Sequence, residues 1–204
     1  MLPNKEYDLT KTFILTLKRS RDHYPFYAIT GGPGVGKTTL LDELRNRGMI
    51  TVPEVARELI KEQQEVDGEA LPWRNKRMYM EMMFQRSVES FEKTRISLDE
   101  RSPVFFDRGF LDALCYAALE GIPIDLEMKT LAETLRYNTN VFILPPWKDI
   151  YQTDAQRKQD WNEAVFTYNK MIQTYRGYQY DLIEVPKASV EERADFILGH
   201  IKGN

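Results

Sequence analysis

The amino-acid sequence predicts an α/β fold, a parallel β-sheet with helices packed on both faces. Three observations carry this prediction. Short apolar runs alternate along the chain with segments whose apolar residues recur every three or four positions. A glycine-rich run joins the first of those strands directly to the first of those helices. No internal repeat or low-complexity linker interrupts the alternation, so 204 residues are expected to form one domain with a full core.

Residues 1–23 are mixed and polar, with Leu9, Phe13 and Leu17 at four-residue spacing. They are expected to be an N-terminal extension, as a docking arm or an edge helix, to a domain spanning 24–204. Residues 24–30 (YPFYAIT) read as a buried strand running into glycines. The helix after Lys37 carries Leu40, Leu41 and Leu44 on one face and stops at Gly48. Residues 49–52 form a second short strand. Pro53 then opens a helix over 54–66, proline being tolerated in a first helical turn.

Residues 67–75, with Gly68 and Pro72, read as a loop, and 76–98 as a long helix rich in methionine. Residues 103–107 (PVFFD) are a third strand, followed by a helix over 110–119, a turn at 121–123 and a helix over 125–137. Residues 141–144 are a fourth strand, ended by Pro145 and Pro146. Trp161, Ala164, Val165, Tyr168, Met171, Ile172 and Tyr175 keep helical spacing. Residues 180–185 are a fifth strand. Ser189 with Glu192 makes a capping box for a last helix, with Ala194, Ile197, Leu198 and Ile201 inward.

Composition excludes several classes. A formal net charge of −3 argues against a dedicated nucleic-acid binder. One cysteine, Cys115, allows neither an internal disulfide nor a cysteine zinc site, and is expected to be a buried small apolar residue. His23 and His200 are isolated. No stretch approaches the ~18 apolar residues of a membrane span. Lys5, Glu6 and Asp8 stand where a signal peptide would be apolar, so a cytoplasmic location is expected.

Gly31, Gly32, Pro33, Gly34, Val35, Gly36, Lys37 and Thr38 fit G-x-x-x-x-G-K-[ST] without a mismatch. In that motif backbone N–H groups must approach a chain of phosphates, which side chains at Gly31, Gly34 and Gly36 would obstruct. The following helix, with Thr39 in its first turn, adds its positive end. Lys37 is expected to bridge the outer phosphates of ATP or GTP, and Thr38 to ligate Mg2+.

A base-reading N-K-x-D is absent: Asn75-Lys76 is followed by Arg77 and Met78. The third strand ends in Asp107-Arg108-Gly109, an acid followed by a base, rather than in two acids. Asp107 at the carboxyl end of an apolar strand is placed to reach the Mg2+ shell through water, and Arg108 to point at phosphates. A surface turn with a local ion pair would also account for them.

These pieces resemble the P-loop nucleoside and nucleotide kinases, in particular the kinase domain of NadR-type nicotinamide-riboside kinases and their "AAA-type" ATPase relatives. The matching residues are Ile29-Thr30-Gly31-Gly32 with the loop, Glu54-Val55-Ala56-Arg57, Phe105-Phe106-Asp107, Phe142-Ile143-Leu144, Pro146-Trp147 and Asp154-x-x-Arg157. They extend over about residues 25–160. The chain is longer between Trp147 and Asp154 than NadR is, so its lid is expected to differ, and no adenylyltransferase or DNA-binding domain is expected.

The resemblance implies a five-stranded parallel sheet of order 2-3-1-4-5 and a lid over about 148–160 that brings in Arg157, helped by Lys158. Thr153 with Gln156 alternatively caps a helix, leaving Arg157 exposed in its first turn. It implies that Glu54 orients or deprotonates an acceptor hydroxyl, unless Glu54 serves the positive end of its own helix. Arg57 either pairs with Glu54 at i, i+3 or holds a substrate phosphate. Gln85 and Arg86 lie on the helix that floors the acceptor pocket in this group, while Met78, Met80, Met82 and Met83 suit core packing. Trp73 and Trp147 either stack on a base or pack the core or lid.

The activity expected is transfer of a phosphoryl group from Mg-ATP to a nucleoside-like or other small acceptor by Lys37, Glu54, Asp107, Arg108 and Arg157. The alternatives are a nucleotide-hydrolysing switch and a nucleotide-dependent scaffold acting on a protein or lipid partner.

Overall fold

The computed structural model describes residues 24–97, 102–150 and 160–202. The expected N-terminal extension, Arg157, Lys158 and most of the expected lid lie outside them. Five parallel strands form one sheet of order β2-β3-β1-β4-β5. These are β1 (Phe26–Gly31), β2 (Ile50–Val52), β3 (Val104–Asp107), β4 (Asn140–Leu144) and β5 (Asp181–Glu184). The order is the one the resemblance implies.

The strands are near-continuously apolar because both faces are covered. Phe26 and Ala28 of β1, Val104 and Phe106 of β3, and Val141 of β4 face one cluster. Tyr27 and Ile29, Phe105, and Phe142 and Leu144, the alternate residues, face the other. The first face is covered by α2 (Val55–Glu65), α3 (Lys76–Ser97), α4 (Phe110–Glu120) and α5 (Leu126–Thr134). Its centre is an aromatic cluster in which Tyr137 stacks on Phe110 at 4.7 Å and meets Phe91 and Phe106 edge-on, each at 5.1 Å. Met80 and Met83 pack there too, so these two methionines serve the core. Each such fully buried large apolar side chain contributes about 1.5–3 kcal/mol relative to an exposed one.

The second face is covered by α1 (Lys37–Asn46) and α7 (Val190–Lys202). Leu40, Leu41 and Leu44 are the buried stripe of α1. Its end is closed by the Gly48 N–H donating to the Arg45 carbonyl and the Met49 N–H to the Leu44 carbonyl, the paired hydrogen bonds of a glycine C-terminal cap. Ser189 and Glu192 make the expected reciprocal cap of α7. A further helix, α6 (Trp161–Gly177), packs on α4 and β5. Cys115 is buried beside Ile143 and Met171.

Strand ends shift by one or two residues, and two helix boundaries differ for a structural reason. Pro53 precedes its helix rather than opening it; Glu54 holds the N-cap position with extended backbone. The helix expected to 137 ends at Thr134. Leu135 and Tyr137 leave the helical path as buried parts of the core.

Candidate functional site

The register aligns the carboxyl ends of the strands. Ile29 sits opposite Asp107, Gly31 opposite Leu144, and Val52 opposite Phe106. The phosphate-loop motif, Glu54, Asp107 and Arg108 therefore emerge at one edge of the sheet, where ligands of open α/β sheets bind. The loop turns into α1 through Gly34 and Gly36, both with left-handed backbone. Gly31 serves a packing need: a Cβ there would stand 2.9 Å from the Leu144 carbonyl oxygen. Gly31 closes the strand beneath the loop, and residues Gly32 to Thr39 line a cavity above it, joined by Arg57, Arg108, Ile150 and Arg193.

Lys37 is buried. Its ammonium contacts the Asp107 carboxylate and lies 3.9 Å from Glu54 Oε2. Burial and the neighbouring Arg108 charge lower its pKa, against the pull of Asp107 and Glu54. Thr38 and Thr39 are exposed to the cavity.

Glu54 occupies the N-cap of α2, yet its side chain makes no capping bond. It accepts instead from Arg108 Nε and pairs with Arg57 Nε, each at 2.9 Å. Burial works to raise its pKa, but the charges of Arg108, Lys37 and Arg57 outweigh it and hold the carboxyl below its usual value. Arg57 thus forms the i, i+3 pair and also lines the phosphate-loop cavity with an exposed side chain.

Arg108 has φ +69°, a conformation costing a non-glycine residue about 1–2 kcal/mol. Its N–H donates to the Ile29 carbonyl at 3.0 Å, and its guanidinium bridges Glu54 at 2.9 Å and Asp112 at 3.0 Å. Burial opposes the charge, but Asp112 and Glu54 more than compensate and raise its pKa.

Asp112, in the first turn of α4, was not distinguished by its sequence context, since an acid there is ordinary for a helix start. In the structure it is a buried hub. Oδ1 accepts from the Thr30 hydroxyl at 2.6 Å and from Arg108; Oδ2 accepts from the Gly109 N–H at 2.9 Å and the Tyr175 hydroxyl at 2.7 Å. It thereby ties β1, the β3–α4 turn and α6 together, and fixes the guanidinium that fixes Glu54.

A second pocket lies against the first. Val52 to Ala56, Phe106 to Gly109 with Asp112, and Met83, Ser87 and Ser90 of α3 line it, with Tyr137. It encloses about 20 Å³, room for about one water. Arg108 lines both this pocket and the phosphate-loop cavity. Arg86 lies apart, in a groove between α2 and α3, where it pairs with Glu62 at 2.6 Å; the groove shares Pro53, Val55 and Ser90 with the pocket. Trp73 is 60% exposed and joins neither cavity. Trp147 is half-buried, with the Arg193 guanidinium 5.8 Å from its ring centre. Among the described residues no group of three or more His, Cys, Asp or Glu side chains is arranged to hold a metal, and no helix is long and apolar enough to cross a membrane.

The sequence pattern of the AAA domain family matches residues 26–193. The chain belongs to the AAA domain family. No curated protein sequence matches it. Among solved structures, this AAA domain is similar to NadR in complex with NR, with TM-score 0.67 and 14% identity over 93% of the chain and 54% of NadR. It is similar to deoxyadenosine kinase from M. mycoides, with TM-score 0.57 and 16% identity over 88% of the chain and 100% of that enzyme. Thymidylate kinase from Candida albicans gives TM-score 0.57 and 12% identity over 90% of the chain and 92% of its own. The chain thus spans about half of the NadR chain it matches. At these identities the likeness speaks to the fold, which is that of the P-loop nucleotide kinases.

Proposed function

We propose that this AAA domain is a phosphotransferase that carries the γ-phosphoryl group of Mg-ATP to the hydroxyl or phosphate of a small, nucleoside-like acceptor. The observation that carries the proposal is the position of Arg108, which lines both the phosphate-loop cavity and the Glu54 pocket. A phosphoryl group moving from the phosphate-loop cavity to an acceptor oxygen at the mouth of that water-sized pocket passes a fixed guanidinium, the kind of charge that stabilises such a transfer. The fold shared with a deoxyadenosine kinase and a thymidylate kinase supports a nucleoside-like acceptor. NadR, also similar, is described in complex with AMP-PNP, which supports ATP.

In this reading the N–H groups of Gly32 and of residues 34–39, with the Lys37 ammonium, hold the triphosphate, and Lys37 exchanges its contact with Asp107 for the outer phosphates. Thr38 would ligate Mg2+, and Asp107, once released, would hold a water of the metal's shell. Bound there, Mg2+ would supply positive charge against the phosphates, and one hydroxyl with one carboxylate suits its preference for phosphate and water ligands over a protein cage. The acceptor oxygen bonds to γ-phosphorus as the bond to the bridging oxygen of ADP breaks, and the acceptor proton passes to Glu54. A carboxylate held below its usual pKa is a weak base, so Glu54 chiefly orients the hydroxyl and takes the proton late. Arg57 and Arg86 bind the acceptor, Arg86 where the acceptor extends into the α2–α3 groove, and Arg157 closes over the transferring group.

Two variants test this. Glu54→Gln keeps shape and loses charge; it is expected to bind Mg-ATP normally and to lose ~10²-fold in acceptor-dependent turnover. The acceptor is found by screening nucleosides, nucleotides and vitamin ribosides with labelled ATP. Unchanged turnover with a lowered melting temperature would make Glu54 structural and favour the hydrolytic switch. Asp107→Asn is expected to raise the Mg2+ concentration required for turnover by ~10–100-fold, the usual cost of losing an outer-shell partner. A Mg-nucleotide complex with Asp107 more than one water away from the ion would refute that role.

A further inference from the structure

Among the described residues, every cation that lines the phosphate-loop cavity has a carboxylate partner except one. Lys37 contacts Asp107, Arg57 pairs with Glu54, and Arg108 bridges Glu54 and Asp112. Arg193 on α7 is only 6% exposed, and no carboxylate oxygen among the described residues lies within 4.0 Å of its guanidinium. Among the described residues its polar contacts are two long ones, both 3.4 Å: Nη1 to the Gly36 carbonyl and Nε to the Ser189 carbonyl. These exceed the ordinary N–H···O range of about 2.7–3.2 Å. Among the described residues only the charge of Glu191, beyond ion-pair distance, works against burial, and burial pulls the Arg193 pKa down. A buried cation left in that condition is destabilising.

The guanidinium is aimed rather than stranded. It lines the cavity formed by residues 32–39. A Cβ on Gly36 would stand 2.9 Å from Nη1, so the glycine of the loop is also what admits the arginine. Arginine suits this place because its planar fork of donors matches phosphate oxygens.

We propose that Arg193 is a phosphate-binding residue of this site, contacting the nucleotide's phosphate chain from the α7 side, so that the bound anion fastens α7 onto the phosphate loop. The proposal rests on the phosphate-loop reading above. It adds a ligand contact from the last helix, far along the chain from the motif.

The test uses the full chain, R193M and R193Q, with Mg-ATP and inorganic tripolyphosphate as probes in calorimetric titration and thermal unfolding. R193M removes the charge and keeps the length. R193Q also removes the charge but can still donate to a carbonyl, and serves if R193M does not fold. Both are expected to bind each probe at least about tenfold more weakly than wild type, as for a lost charged hydrogen bond. R193M is expected to melt no lower than wild type without ligand, since it removes an uncompensated buried charge. Wild-type affinity in the variants with a lowered ligand-free melting temperature would make Arg193 a packing residue and overturn the inference. Loss for Mg-ATP with none for tripolyphosphate would move the contact to base or ribose and overturn it as stated. A wild type that binds neither probe would overturn the phosphate-loop reading itself, and this inference with it.

Discussion

Lys37→Ala is expected to lose Mg-ATP binding by at least ~10-fold and up to ~100-fold or more, because a charged hydrogen bond to phosphate contributes about 1.5–3 kcal/mol. Turnover should fall further, since the ammonium's attraction grows as charge develops in the transition state. The loss should exceed that of an ordinary surface lysine because Lys37 is held inside the site. It stands between Asp107 and Glu54, with Arg108 near enough to lower its pKa. Calorimetric titration and acceptor-dependent turnover on the same preparation would separate the two effects. A variant that bound and used Mg-ATP as the wild type does would remove the basis of the proposed function.

Asp112→Ala is expected to give the largest loss of stability. It strips the Thr30 hydroxyl, the Gly109 N–H and the Tyr175 hydroxyl of an acceptor, and takes one of two carboxylates from Arg108. Breaking a buried charge pair from one side typically costs about 3–5 kcal/mol. Urea unfolding should show the midpoint falling with little change in the denaturant slope. In a double-mutant cycle, Asp112→Ala with Arg108→Met should lose less than the two single changes added together, because the second removes the charge that the first abandoned. A cost below about 1 kcal/mol for Asp112→Ala would mean that the hub is not a stabilising centre.

How much of this was visible in the sequence depends on how local each feature is. The five strands and the cap at Ser189 and Glu192 show directly, because alternation and capping involve residues a few positions apart. Pro53 misled by one step: a proline suits a first helical turn, but here Glu54 holds the N-cap position, its side chain meeting Arg108 and Arg57 instead of capping, and the helix starts after it. The strand order came through the resemblance, as strand periodicity says nothing of neighbours. Asp112 and Arg193 stayed hidden for one physical reason. Each looks like an ordinary polar residue of its own helix, an acid in a first turn or a base beside an inward Ala194. Their meaning lies in partners brought close only by the packed sheet, at Thr30 and Tyr175 for one and at Gly36 for the other.

The aromatic cluster at the centre of the larger face has an optical consequence. It is built from phenylalanine and tyrosine, with no tryptophan among Phe26, Phe91, Phe106, Phe110 and Tyr137. The three indoles stand at the periphery: Trp73 is exposed, and Trp147 and Trp161 are half-buried. Tyrosine ellipticity in the near-ultraviolet therefore reports the interior, while indole emission reports the rim, with Trp147 beside the phosphate-loop cavity. Recording both signals through one melt would show whether rim and interior dissolve together, since coincident transitions mark all-or-none unfolding. The emission of Trp147 gives nucleotide titrations a built-in reporter that needs no label.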